Sequence, residues 1–369
     1  MEIQAAVLYA PPGPLELVTV SLDAPRADEV VVRVAASGLC GSDLHLVDGS
    51  LEIPGPHGAR RPPLPIIPGH EAAGVVERVG SDVRAVAPGD HVIINIYPGC
   101  GRCPTCRSGR PARCAELHQG YLADGTTRFS VDGRAVHHMA YCSSFADAIV
   151  VPESGCVKVR ADMPLDRACL IGCGVTTGYS AVFNVAKVHP GASVLVVGAG
   201  GVGLNVIQSA FLAAATTIIA VDIGAAKLAT AELFGATHTV DASAPDWVAQ
   251  VLSLTGGRGV DFGFEAVSTP VTIRQAFDAT ANGGQLTIVG LAPPGSEVSY
   301  PASITKSVTR GGMAWARPWQ DFPRIVELYL AGRFKLDELV TRTRPMSEVN
   351  LALRDLRDGV PGRTVLVPA

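Results

Sequence analysis

Four cysteines stand close together as Cys100-Gly-Arg-Cys103-Pro-Thr-Cys106, with Cys114 beyond them, in the pattern C-x2-C-x2-C-x7-C. Thiolates two residues apart on a Gly/Pro loop can converge on one cation, and a fourth completes a tetrahedron. Such a closed set suits a structural Zn²⁺, with no position left for water; an iron–sulfur cluster uses similar spacing. A second group, Gly198-Ala199-Gly200-Gly201-Val202-Gly203, follows the apolar run Val194–Val197, and Asp222 lies 19 residues after Gly203. This is the setting of a dinucleotide turn. Gly198 permits the turn, Gly200 lets a pyrophosphate approach the backbone, and Gly203 lets a helix close on the sheet. The phosphates then meet free N–H groups at the helix start, with Gly201 and Val202 beside them. A carboxylate at Asp222 accepts both adenosine ribose hydroxyls and repels a 2′-phosphate. No Arg follows it, so NAD is expected rather than NADP.

Three further segments carry residue types capable of chemistry: Cys40-Gly-Ser42-Asp43-Leu-His45, Gly69-His70-Glu71 and Leu170-Ile-Gly-Cys173-Gly174. Taken singly, each has an ordinary structural reading, Cys40 or Cys173 as a small buried apolar residue and His45 or His70 as a hydrogen-bonded loop histidine. Cys40 and Cys173 lie 30 and 103 residues from His70, so spacing alone does not unite them.

The elements that must position these residues fall into two kinds. Up to about Val157 the chain is rich in short β-branched runs (Val30–Val34, Gly74–Val79, His91–Ile94) punctuated by Gly/Pro clusters. From Ser193 the rhythm becomes strand Ser193–Val197, helix Val202–Ala213, strand Thr217–Val221, helix Ala225–Phe234, strand Gly259–Phe264, helix Val271–Ala281 and strand Gln285–Gly290. Alternation with short connections predicts a parallel, doubly wound sheet with right-handed crossovers. Phe322–Ala331 and Val349–Leu356 read as helices and Thr364–Val367 as a last strand. The expected organisation is a β-rich domain of residues 1–174 and 312–369 with an α/β domain, 175–311, inserted.

Composition narrows the function classes. Length, at 369 residues, fits two or three domains. Lys and Arg number 30 against 34 Asp and Glu, a net charge of −4 that disfavours a phosphate-tracking nucleic-acid binder. With 47% apolar and 17% charged residues the chain is the opposite of a disordered one. Pro190 to Val221 carries no charge, yet its glycines, Asn205 and Gln208 read as buried strand, turn, helix and strand rather than a membrane span. Met1-Glu2-Ile3-Gln4 shows no basic region followed by an apolar run, and nine cysteines are too few for a disulfide scaffold. A soluble, cytoplasmic protein is expected.

The chain resembles the zinc-dependent medium-chain dehydrogenase/reductase family, and within it the long-loop, liver- or class III-like alcohol dehydrogenases. The similarity runs nearly end to end. It covers the Cys40 turn, Gly69-His70-Glu71, the four-cysteine lobe, Asp124-Gly125-Thr126-Thr127-Arg128-Phe129, His137-His138, Ser143-Ser144-Phe145, Cys173 with Thr177-Gly178-Tyr179, the glycine turn and Arg363-Thr364-Val365-Leu366. The resemblance implies a GroES-like catalytic domain and a Rossmann cofactor domain. It implies two zinc ions per chain, a structural one in the lobe and a catalytic one held by Cys40, His70 and Cys173 with one position open, as alcohol dehydrogenases have it. Glu71 would lie behind that metal and Asp43 would orient the His70 ring. The implied reaction is reversible hydride transfer between an alcohol and NAD, with the proton leaving from Ser42 to the nicotinamide ribose and on to His45. Lys227 would help bind the adenosine ribose and Arg363 the pyrophosphate; Thr177, Val202, Val289 and Leu291 would contact the nicotinamide half. A small-molecule alcohol or aldehyde is the implied partner. The chain would form a homodimer or homotetramer through a sheet edge, for which Gln285–Leu291 followed by Pro293-Pro294 is the candidate.

Departures from the family pattern bear on the substrate. Gly41 stands where several relatives carry a basic residue on the pyrophosphate. The segment from about Ile53 to Pro63, with His57, Arg60 and Arg61, is an insertion that reads as a solvated loop or part of the substrate entrance. His118 aligns near an Arg of relatives that oxidise a thiol adduct of formaldehyde. Ser42, Ile96 and Met139 suggest a roomy apolar pocket for a medium-sized or aromatic primary alcohol, or a secondary one. Three alternatives stay open: a thiol-dependent formaldehyde dehydrogenase, a variant that keeps NAD bound and uses an external acceptor, and a family member retained only for binding. Cys142, Cys156 and Cys169 receive no role.

Overall fold

The computed structural model of the chain describes every residue except Pro56, His57, Ala115, His118, Gln119, Ala123, Pro293, Pro294, Ala302, Ile304 and Ala369, with side chains left aside over 53–60. The readings made above on His57, Arg60 and His118 and on Pro293-Pro294 therefore lie outside the described residues. Contacts divide the chain into two compact units. One comprises Met1–Cys173, Arg317–Gly332 and Leu336–Ala369, the other Gly174–Ala316 and Arg333–Lys335.

The first unit is built on mostly antiparallel strands. Glu29–Gly38 is its hub, paired antiparallel with Glu71–Val79, with Ala148–Pro152 and, at its end, with Arg363–Val367. Its run EVVVRVAASG is buried almost throughout, as expected of a central strand with neighbours on both sides. The register places Gly38 opposite Glu71 and next to Val365. Cys40, His70 and Arg363 consequently leave the sheet at one end, although His70 and Arg363 are 293 residues apart. Cys173 reaches the same end from the 3-10 turn Cys169–Gly172. That turn packs closely because Gly172 lacks a side chain: a Cβ there would lie 3.1 Å from the Ile94 carbonyl oxygen.

The second unit is a six-stranded parallel sheet. We label its strands β1 (Ser193–Val197), β2 (Thr217–Asp222), β3 (His238–Asp241), β4 (Val260–Glu265), β5 (Thr280–Ile288) and β6 (Ser307–Arg310). Their spatial order is β3-β2-β1-β4-β5-β6, the doubly wound arrangement whose crevice opens beyond the carboxyl end of β1. Every residue of β1 is buried, which a sheet covered on both faces requires. The charge-free stretch resolves into β1, turn, helix Gly201–Leu212 and β2, and among the described residues no single helix is long and apolar enough to cross a membrane.

Three sequence expectations need adjustment. β3 and the helix Trp247–Leu254 were not foreseen, because the short polar run His-Thr-Val-Asp has no strand signature of its own and pairs only as a neighbour of β2. Gln285–Leu291 is not the sheet edge: Gln285 to Ile288 pair with Ser307 to Arg310, and β6 ends the sheet on that side. The unit boundary also departs from 175–311. Ser180 Oγ donates to the Gly312 carbonyl at 2.9 Å and Asn184 Nδ2 to the Trp315 carbonyl at 3.1 Å, which hold residues up to Ala316 in the second unit. Lys335 joins it by exchanging two hydrogen bonds with the Gln208 amide, 2.8 and 3.1 Å.

The loop after the cysteine lobe is fastened by a buried ion pair. Arg128 donates from Nε and Nη2 to the two Glu29 oxygens at 2.9 and 2.6 Å, and from Nη2 to Asp124 Oδ2 at 2.6 Å. Its backbone N–H donates to Nε2 of buried His138 at 3.3 Å. Burial, with the Arg128 and His137 charges, pushes His138 down to about 3. The unfolded chain therefore binds a proton at this histidine that the folded one refuses. Its stabilising contribution is complete above pH about 6.5 and is lost as pH falls toward 3. Below pH 6.5, urea unfolding of the wild type should lose stability more steeply than His138→Asn, by up to about 1.4 kcal/mol per pH unit. Parallel slopes for the two proteins would contradict this.

Candidate active site

Among the described residues two clusters of metal-ligating side chains are present, both in the first unit. In the lobe, the sulfurs of Cys100, Cys103, Cys106 and Cys114 lie within 4.8 Å of one another, with Cys100–Cys106 at 4.0 Å and Cys103–Cys114 at 3.8 Å. Bonds of about 2.3 Å to a tetrahedral Zn²⁺ imply sulfur separations of roughly 3.8 Å. The spacing thus fits a single ion and leaves no room among the sulfurs for an iron–sulfur cluster. Backbone N–H groups of Cys103, Cys106 and Glu116 point at Cys100, Cys103 and Cys114 sulfurs, each at 3.4 Å. The Cys106 N–H lowers Cys103 to about 6, while burial pushes Cys106 up to about 12. Four thiolates at this range cannot all ionise without a cation.

The second cluster gathers Cys40, His70, Glu71 and Cys173, with ligand atoms again within 4.8 Å of one another. Cys40 precedes the helix Gly41–Val47. Its N–H donates to Asp43 Oδ2 at 2.9 Å, and the other Asp43 oxygen accepts from the Gly69 N–H and from His70 Nδ1, both at 3.1 Å. One fully buried carboxylate therefore fixes both ligand-bearing turns. With Nδ1 carrying the proton, His70 is left to present Nε2 as a donor of electrons. Gly69, at φ +88°, has no space for a side chain, since a Cβ would run into Ser144 and Phe145. Ser144 and Phe145 clamp the turn by donating their N–H groups to the Gly69 and Pro68 carbonyls at 3.0 and 3.1 Å.

The charges here are strongly coupled. Burial works against an imidazolium, but Asp43 and Cys40 hold His70 well above its usual value. A hydrogen bond between the two thiols holds Cys40 well below the usual range and Cys173 well above it. Burial raises Glu71 to about 7 even though Arg363 pairs with it. Two half-buried thiols, a buried imidazole nitrogen and a buried carboxylate within reach of one another make a donor set that suits Zn²⁺.

The remaining first-unit candidates are placed as follows. Ser42 is half-buried on the helix Gly41–Val47, and His45, three residues on, is exposed, with Nδ1 3.0 Å from Ser50 Oγ. Ile96 and Met139 are buried. Arg363 Nη2 is paired with Glu71, because the register of the last strand delivers it there, while its Nε has no hydrogen-bond partner among the described residues. Sequence reasoning passed over Tyr97, whose phenol burial and the Cys173 charge raise to about 12. Its position directly after Ile96 is the only signal that could have marked it.

In the second unit, Gly198 has φ +95° and Gly200 caps the helix Gly201–Leu212 with extended backbone. A Cβ on Gly203 would overlap the Gly198 carbonyl, whereas one on Gly200 would meet nothing within 4 Å. The helix can thus close on the turn while the space above it stays open, the arrangement a pyrophosphate needs. Asp222, at the end of β2, accepts from the N–H groups of Ala199 and Gly224 at 2.8 and 3.0 Å, and Lys227 Nζ lies 3.6 Å from it. Thr177 and Val289 are buried, Val202 is half-buried and Leu291 is 59% exposed.

Residues 26–161 match the alcohol dehydrogenase GroES-like domain and residues 201–331 the zinc-binding dehydrogenase domain. The chain is 39% identical to an alcohol dehydrogenase class-3 of Cereibacter sphaeroides and 38% identical to an S-(hydroxymethyl)glutathione dehydrogenase of Paracoccus denitrificans, covering 100% of each chain in both cases. Among solved structures it resembles the benzyl alcohol dehydrogenase of Acinetobacter calcoaceticus, with a TM-score of 0.92, 31% identity and full coverage of both chains.

The lobe generates a direct test. Cys103→Ser should lower the zinc content by one ion per chain and reduce the thermal midpoint, as read by elemental analysis and calorimetry. Unchanged metal content would refute the tetrahedral assignment.

Proposed function

This chain belongs to the zinc-dependent alcohol dehydrogenases of the medium-chain dehydrogenase/reductase family, and from that premise we propose how its own residues carry the reaction. It is an NAD-dependent oxidoreductase acting on alcohols. The observation that carries the reading is the convergence of half-buried Cys40 and Cys173 on buried His70, with Asp43 holding the His70 ring.

Cys40, His70 and Cys173 would hold the zinc, which when bound would supply Lewis-acid chemistry toward an alcohol or carbonyl oxygen, and NAD would supply the hydride chemistry. Asp43 keeps His70 in the tautomer that leaves Nε2 free. Glu71, tied to Arg363, would be available as an alternative ligand. Arg363 steadies this carboxylate through Nη2 and is assigned to the pyrophosphate through its remaining N–H groups. Ser42, half-buried, and His45, exposed and three residues further along the same helix, form the relay that carries the alcohol proton to solvent. Gly198, Gly200, Gly201 and Gly203 receive the pyrophosphate, and Asp222 with Lys227 receives the adenosine ribose. Both Asp222 oxygens keep a lone pair beyond their backbone bonds, so they can still accept ribose hydroxyls. Val202, Thr177, Val289 and Leu291 are assigned to the nicotinamide half.

Ile96, Met139 and Tyr97 support a pocket for an aromatic or medium-sized primary alcohol, in keeping with the benzyl alcohol dehydrogenase likeness. A second reading, oxidation of a thiol adduct of formaldehyde, is favoured by the relative named for S-(hydroxymethyl)glutathione. We also place the protein as a homodimer joined through the open edge at β6, in a reducing compartment such as the cytoplasm that keeps its thiols available.

An NAD-reduction screen across aliphatic, aromatic and secondary alcohols, and formaldehyde with and without glutathione, should give the highest kcat/KM for benzyl-type alcohols. Activity confined to formaldehyde plus glutathione would select the second reading. His45→Gln should slow turnover roughly tenfold at pH 6 and much less at pH 9, where hydroxide can take the proton directly. An unchanged pH profile removes His45 from the relay.

A further inference from the structure

We propose that Glu265 is a positioning residue for the nicotinamide end of the cofactor site. The inference rests on the reading that NAD lies over the glycine turn with Val289 at its nicotinamide half. Glu265 ends β4 and is fully buried. Its Oε1 accepts from the Val267 N–H at 3.0 Å, the Ser268 N–H at 2.7 Å and the Thr272 hydroxyl at 2.8 Å. Ser268 Oγ lies 3.4 Å from Oε2. Three donors converge on one oxygen, and hydrogen bonds to a carboxylate are charge-assisted, roughly twice as strong as neutral ones. The adjacent start of the helix Pro270–Ala279 favours an anion as well.

What the carboxylate holds is the loop Ala266–Ser268, and that loop touches both cofactor-facing segments. Ser268 is buried with φ +69°, a left-handed conformation that a non-glycine residue keeps only when bonds on both sides impose it. A Cβ on Gly198 would lie 2.8 Å from Val267 Cγ2, and one on Gly290 would collide with Ser268 Oγ. The loop is thus seated between the dinucleotide turn and the end of β5. The Glu265 backbone completes the arrangement. Its carbonyl accepts from Val289 N–H at 2.7 Å and Gly290 N–H at 3.3 Å, and the Ala266 N–H donates to Val197 at 2.9 Å. One residue therefore sets the spacing of β1, β5 and the loop around the place assigned to the nicotinamide, some distance along the chain from Asp222 and the adenosine contacts.

The test compares NADH with ADP-ribose, which lacks the nicotinamide, by fluorescence and calorimetric titration of the zinc-loaded protein. Glu265→Gln should raise the NADH dissociation constant about tenfold and leave that of ADP-ribose within twofold. Thr272→Val, which removes one donor, should raise the NADH constant about threefold, and Thr272→Ser should restore it. Equal weakening of both ligands would overturn the proposal by making Glu265 a general support, and so would NADH affinities within twofold of wild type. Should Glu265→Gln fail to fold, the Thr272 pair decides by the same criteria. Failure of the wild type to bind ADP-ribose would instead sink the underlying reading of the glycine turn.

Discussion

Crowding of ionisable groups at one largely enclosed point is the constraint around which the first unit is organised. Two thiols, an imidazole and a carboxylate share a volume with ligand atoms within 4.8 Å of one another. As separate charges they repel or bury unpaired, which is costly in a low-dielectric interior. The thiol pair answers by sharing a proton, with Cys40 depressed and Cys173 raised, and Glu71 by holding Arg363. A dication removes the conflict by replacing those protons. The catalytic property and the need for metal are thus the same electrostatic fact.

Backbone register is what assembles the cluster. Gly38 opposite Glu71 places Cys40 and His70 at one sheet end, and Val365 beside Gly38 brings Arg363 to the back of it. Glycine is required at Gly38 because a Cβ there would overlap the Glu71 carboxylate and crowd Leu170. Asp43 then locks the two turns together with three hydrogen bonds from Cys40, Gly69 and His70. The second unit uses glycine in the opposite sense. Gly203 permits contact between helix and turn, while Gly200 keeps a space clear for the ligand.

The adjustments between expectation and structure have physical reasons. β3 and the edge strand β6 are short and polar, so their strand character comes from the neighbour that pairs with them and not from their own residues. Arg363 matched a family position by sequence, and the fold adds a pair between its Nη2 and the buried Glu71 carboxylate that no local pattern announces. Tyr97 and Glu265 lacked any motif. Their settings depend on burial and on donors from residues that approach only in the folded chain.

Local spacing by itself determined the lobe and the glycine turn, because the ligands of each lie within 15 residues and backbone reach alone forces them together. It also determined the alternating strands and helices of the second unit, since buried parallel strands demand uninterrupted apolar runs. The dispersed set could be joined in the sequence only by likeness to a family, because 103 residues separate His70 from Cys173. Only the tertiary structure decided that Cys40, His70, Glu71 and Cys173 meet at one point, that Arg363 belongs behind Glu71, and that β6 forms the open edge. Each of these depends on strand register, which is set by packing across the whole sheet rather than by any one segment.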